Sequence, residues 1–224
     1  MNEMYRENNF WASVYGWMAG ALTLTAFTAW YVAATPQLFA FFVERPVVLI
    51  LLFVAQIAMV FIFMGMLSRM HFGWALFAFC FYALTLGITL SSIFKVYVAS
   101  SIYLTFFVAA GMFASMALYG FFTRTDLSKV GSIMMMILFG MIICFLINMF
   151  VRSSAFDMAL SFVGVVVFSL LTAYDMQKIR QIKESIMDER MLPLVALNGA
   201  FTLYLDFINL FLMLLRFVGK RNND

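Results

Sequence analysis

Seven stretches of roughly twenty apolar residues, separated by short polar breaks, leave this chain few architectures. The hydrocarbon core of a bilayer offers no water to backbone N–H and C=O groups, so only helices and closed barrels satisfy them there. A helix needs about 20 apolar residues to cross the ~30 Å core, whereas a barrel strand needs about 10. The runs are therefore read as helices over Phe10–Ala34, Val47–Leu67, Phe72–Phe94, Ser101–Phe122, Val130–Phe150, Ala155–Tyr174 and Leu192–Val218. Breakers set the edges: Thr35-Pro36, Pro46, the Ser68-Arg69-Met70-His71 cluster, Lys95, and Thr123-Arg124-Thr125-Asp126. The expected fold is all-α, one polytopic integral membrane domain over residues 1–224 whose first partner is the lipid bilayer. Charged residues make up 11% of the chain against about 25% in soluble domains, which agrees with that class.

The net charge of +3 is spread over the connections, so nothing supports a nucleic-acid partner. Cys80 and Cys144 each fall inside an apolar run and read as small hydrophobes in helix packing. The Met134-Met135-Met136 run reads the same way, since one His and two Cys are too few to complete a soft-metal site. Gly16 and Gly20 form a GxxxG close-packing face, and His71 is expected at an interface. The leader mixes Glu3 and Glu7 with Arg6 ahead of a run longer than a signal-peptide core, so a cleaved signal is not expected. Arg6, Arg69, Arg124, Lys129, Lys178, Arg180, Lys183 and Arg190 share the N-terminal side, against Arg45, Lys95, Arg152, Arg216, Lys220 and Arg221 opposite. That excess places the N-terminus in the cytoplasm.

Within this apolar background two carboxylates stand out. Asp206 is the only charge between Leu197 and Leu215, and Asp175 closes the sixth run. An ionised carboxylate at bilayer depth costs roughly 2.5–3.5 kcal/mol on insertion scales, so such a residue faces a protein or water-filled interior. Asn198, Thr202, Asp206 and Asn209 step by helical spacing along one face and are the candidate pore lining. A hydrogen-bonding seam between helices is the alternative for Asn198 and Thr202. Arg69 ends the second run on the side of Asp175. Spacing permits an ion pair between them and equally an ordinary interfacial anchor for Arg69. Counting 1.5 Å per residue leaves a gap of about 10 Å in depth between Asp175 and Asp206, which helix tilt can close. If they touch, both cannot readily be ionised and one proton is shared.

Several strings together resemble the Bax-inhibitor (transmembrane Bax-inhibitor-motif) family over essentially the whole chain, in the style of its bacterial members. They are Phe168–Ile179 (FSLLTAYDMQKI), Leu203–Phe211 (LYLDFINLF) with Leu214–Phe217 (LLRF) behind it, Gly87–Phe94 (GITLSSIF) and Tyr119–Ser128 (YGFFTRTDLS). The resemblance implies seven transmembrane helices with the last one central and wrapped by the other six. It also implies a paired-aspartate proton sensor at Asp175 and Asp206, a latching arginine at Arg69, and the behaviour of a pH-sensitive calcium leak in the bacterial cytoplasmic membrane. One departure is the connection between the aspartates, which is longer here than in some bacterial relatives.

Three functions follow as expectations. The leading one is a non-enzymatic, passive cation leak gated by protonation. It has Ca²⁺ and protons as its ions, Asp206 as a transient Ca²⁺ ligand and no tightly bound cofactor. Neutralising Asp175 would loosen the Arg69 latch, whereas neutralising Asp206 would remove a cation ligand, so the two act in opposite senses. The second is an interaction protein that regulates a membrane-bound protease, with the polar segment Met1–Asn9 as its handle. The remote third is an intramembrane aspartyl protease. Tyr174-Asp175 fits its first half, but Leu203-Tyr204-Leu205 supplies no glycine before Asp206, and Leu192-Pro193-Leu194 precedes that aspartate rather than following it.

Overall fold

The computed structural model of the chain describes residues 2–66 and 71–222. Among them the regular elements are α1 (Asn2–Ala34), α2 (Pro36–Phe42), α3 (Pro46–Met66), α4 (Phe72–Leu90), α5 (Ile93–Val96), α6 (Ala99–Phe122), α7 (Ser128–Val151), α8 (Ser154–Ser185), a 3-10 turn (Glu189–Met191) and α9 (Leu192–Val218). Six helices are long and apolar enough to cross a membrane. Among the described residues α2 and α3, bent by 72° at their break, are together apolar enough to count as a seventh if the pair is one broken span. The all-helical, polytopic architecture is the one the apolar runs require.

Prolines write two of the boundaries. Thr35, held in an extended conformation (φ −110°, ψ 100°) ahead of Pro36, ends α1, because the proline ring clashes with a helical residue before it. Pro36 and Pro46 then open α2 and α3, where the missing N–H is no loss. α7 stops at Arg152, which adopts the left-handed conformation (φ 55°) and bonds back to the Asn148 carbonyl at 2.7 Å. The Asn148 Oδ1 accepts from Ser153 N–H at 3.0 Å and turns the chain into α8. α8 does not stop at the expected Tyr174 but continues to Ser185. Met176 and Ile179 keep its buried stripe going past the apolar run.

The chain divides into two compact units. The first contains α1 to α5 and Ile186–Tyr204. Its core is aromatic: the Phe201 ring stacks on Phe63 at 4.2 Å and meets Phe79 and Tyr82 edge-on at 5.3 Å each. Offset and edge-on rings satisfy the aromatic quadrupole, so one apolar cluster holds three helices. Beside it, Thr25 Oγ1 donates to the Ala83 carbonyl at 3.0 Å, so the Tyr204 hydroxyl, 2.7 Å away, is the donor to Thr25. α1 and α4 approach closely enough there that a Cβ on Gly87 would sit 2.7 Å from the Thr25 carbonyl oxygen.

The second unit contains Val98–Ser185 (α6, α7 and α8) and Leu205–Asn222. Phe106 and Phe113 of α6 meet Phe207 of α9 edge-on at 5.4 and 5.6 Å. At the far end Arg216 lies 3.8 Å from Asp157 of α8 and over the Phe145 ring of α7. Lys220 is held by Val98 N–H and Ser101 Oγ. Buried residues make up 61% of the α9 span and only 11% of the α7 span. α9 is thus the most enclosed of the described spans, whereas α7 presents apolar side chains outward on most of its surface.

Candidate functional site

The site lies in the second unit and begins with α8. Tyr174, Asp175 and the residues after them are in mid-helix, so Asp175 is an interior position rather than the end of a span. Asp206 projects from α9 and is buried. The carboxyls of Asp175 and Asp206 are in hydrogen-bonding contact. Two carboxyl groups form such a bond only when one of them carries a proton, because an ionised carboxylate is acceptor-only. Asp206 Oδ2 has no hydrogen-bond partner among the described residues. The charge on Asp206 is therefore not quenched by a local cage of donors, and the pair must accommodate it.

Contacts with the α6–α7 hairpin set the height of Asp175. A Cβ on Gly120 of α6 would fall 2.1 Å from the Ala173 carbonyl oxygen, so only a glycine lets the two backbones meet there. One residue on, the Tyr174 ring lies over Gly131 of α7. Gln177 is buried and uses both ends of its amide: Nε2 donates to the Thr125 carbonyl at 2.8 Å, and Oε1 accepts from Leu127 N–H at 2.9 Å. The Arg180 guanidinium donates to the Phe121 carbonyl at the end of α6 and lies 3.6 Å from Glu184. Between these helices, Asp126 Oδ1 accepts from Ser128 N–H at 2.9 Å. Bonds from the Ser128 side chain and backbone, helped by Lys129, hold this exposed carboxyl below its usual range.

The structure therefore brings together Asp175 and Asp206, the contact that spacing alone permitted. Asn209, one turn along α9, is half-buried, and its amide donates to the Leu205 carbonyl of its own helix at 2.8 Å. Asn198 and Thr202 belong to the first unit and are half-buried there. Arg69, the expected latch, lies outside the described residues. Met1 of the N-terminal handle does too, while the backbone from Asn2 onward is helical and continuous with α1. His71 sits exposed at the start of α4 and makes no capping bond. Sequence reading missed Gln177, Arg180 and Asp157. The first two follow a carboxylate in a segment rich in Lys and Arg, which reads as a loop. Their signal was the helical periodicity of Met176 and Ile179.

Fold and site define a polytopic α-helical membrane protein with a buried carboxyl pair between two of its spanning helices. The chain belongs to the Bax inhibitor family: residues 7–223 match the family model described as inhibitor of apoptosis-promoting Bax1. It is 45% identical over 214 residues to inner membrane protein YbhL of Escherichia coli K12, covering 95% of this chain and 92% of that one. A relative in Borreliella burgdorferi is 39% identical over 223 residues, covering 99% of this chain and 96% of the relative. A third, in Rickettsia prowazekii, is 38% identical over 210 residues, with 94% and 89% covered.

Proposed function

We propose that this protein is a pH-sensitive passive cation leak, with Ca²⁺ as its permeant ion, in the bacterial cytoplasmic membrane with its N-terminus inside. The observation that carries this reading is the contact between the Asp175 and Asp206 carboxyls in the membrane-spanning part of the second unit. With one proton the pair is a hydrogen-bonded clasp between α8 and α9. Without it, two adjacent like charges repel, strongly so in a medium of low dielectric. Proton occupancy is thereby coupled to whether the two helices hold together.

Carboxylate oxygens suit a hard cation. No group of three His, Cys, Asp or Glu residues able to hold a metal occurs among the described residues, so the pair has no such cluster around it. Asp206 is the proposed transient ligand, and Asn198, Thr202 and Asn209 are proposed to line the path on the same face of α9. Arg69 is the proposed latch on Asp175, and an Arg69→Ala protein with unchanged closure and pH response would remove it from the scheme.

The experiment is Ca²⁺ efflux from proteoliposomes across a pH series, wild type beside Asp206→Asn. A pH-dependent leak that the substitution alters supports the reading. Efflux no faster than from empty vesicles, with correctly folded protein, rejects it. The same carboxyl contact is the geometry an intramembrane aspartyl protease needs, which makes proteolysis the second reading. Leu205 stands where substrate approach calls for a glycine, so cleavage of a labelled membrane substrate, lost in both Asp→Asn variants, is what that alternative must show.

A further inference from the structure

The four α8 residues that grip the α6–α7 hairpin are Ala173, Tyr174, Gln177 and Arg180. Asp175, in their midst, turns instead to Asp206 of α9. Residues 175 and 177 lie about 200° apart around the axis at ~100° per residue, so Gln177 works from the far side of α8. The hairpin presents it with two backbone groups outside any helical ladder, the Thr125 carbonyl and the Leu127 N–H. A planar amide carries one donor and one acceptor edge and satisfies both at once, at 2.8 and 2.9 Å. Lys or Glu at this position would satisfy only one of the two.

We propose that Gln177 is a positioning residue for the carboxyl pair: its amide bolts α8 to the α6–α7 loop and holds Asp175 at the height of Asp206. The inference rests on the proton-gated leak described above and names the part of the site that stays still. The charged groups around Asp175 are few. Asp206 faces it from α9, and Lys178 acts on it from α8 itself. Arg180 is engaged by Phe121 and Glu184, α6 carries no charge along its length, and Lys129 of α7 acts on Asp126. Arg124 and Asp126 of the loop are exposed, and Gln177 itself carries no charge, so a change in pH response on altering Gln177 reports position rather than a lost charge.

The test pairs flux with hydrogen exchange in the full-length protein. Gln177→Met keeps the side-chain volume and removes both bonds. It is expected to move the midpoint of the pH–flux curve by about half a pH unit or more, because coupled titrations depend on the distance between the partners. Its maximal flux is expected to stay within about twofold of wild type. A Gln177→Met curve that overlays the wild-type curve overturns the proposal. If that variant does not fold, wild-type protein decides: the protection factor of the Leu127 amide is expected to persist across the pH step in which flux changes. Loss of that protection in the same step shows α8 leaving the loop and overturns the inference while the leak reading stands. Absence of any pH-dependent flux in wild type, with Leu127 still protected, overturns the leak reading and the positioning role with it.

Discussion

An aspartate in the middle of a spanning helix is costly unless something shares or neutralises its charge, and here the neighbour is a second aspartate. Asp206→Asn keeps the shape and supplies a donor to Asp175, so the contact survives while only one titrating group remains. The expected result in vesicle efflux is a shallower pH dependence, that of one group rather than a coupled pair. A second residue gives a stability prediction with a definite sign. Asp126 is held below its usual carboxyl range by Ser128, so its folded-state pKa is depressed. Its contribution is present above the unfolded value of about 3.9 and is lost as the pH falls through the folded one. Thermal unfolding in detergent should show wild type slightly above Asp126→Asn at neutral pH, with the gap closing under acid. At this scale the sequence was informative wherever a residue was out of place in its surroundings. The helical spacing of Asn198, Thr202, Asp206 and Asn209 was plain. The capture of the Asn209 amide by the Leu205 carbonyl was not, because a side chain's choice of partner depends on its rotamer.

Among the elements, α8 carries the lesson. Its apolar run ends at Tyr174, and a hydropathy reading stops there because it measures lipid compatibility rather than helicity. The backbone continues to Ser185 since Met176 and Ile179 still have a protein surface to cover. Gly120 sets where α6 crosses that surface. Gly120→Ala places a methyl group against the Ala173 carbonyl, and overpacking of this kind costs about 1–3 kcal/mol or more. A lowered melting temperature in detergent is the expected outcome, with the pH–flux midpoint displaced in the fraction that remains folded. In the first unit, Thr25→Val removes the acceptor of the Tyr204 hydroxyl and the donor to Ala83. Interhelical hydrogen bonds in membranes average about 0.6 kcal/mol and reach about 1.7 kcal/mol, so steric-trap or denaturant unfolding should register a loss of that size.

Across the whole molecule, the contrast between α9 and α7 separates interior from lipid face. α7 has a mean hydropathy of 2.7 over its span and little of it is buried, so Ile143→Lys puts a charge into hydrocarbon at roughly 2.5–3.5 kcal/mol. Reduced recovery in the membrane fraction is expected, whereas Ile143→Leu should be neutral. The amino-acid order by itself determined the all-helical membrane class, because the backbone must be satisfied inside each apolar run wherever that run ends up. It also determined the family, through short strings that need no geometry to be recognised. Only the tertiary structure decided that Asp175 meets Asp206 and that Gln177 spans the α6–α7 loop. Those contacts depend on tilt, crossing depth and which face of each helix turns inward. Such quantities come from packing between helices distant in the chain, and a one-dimensional pattern of apolar and polar residues does not encode them.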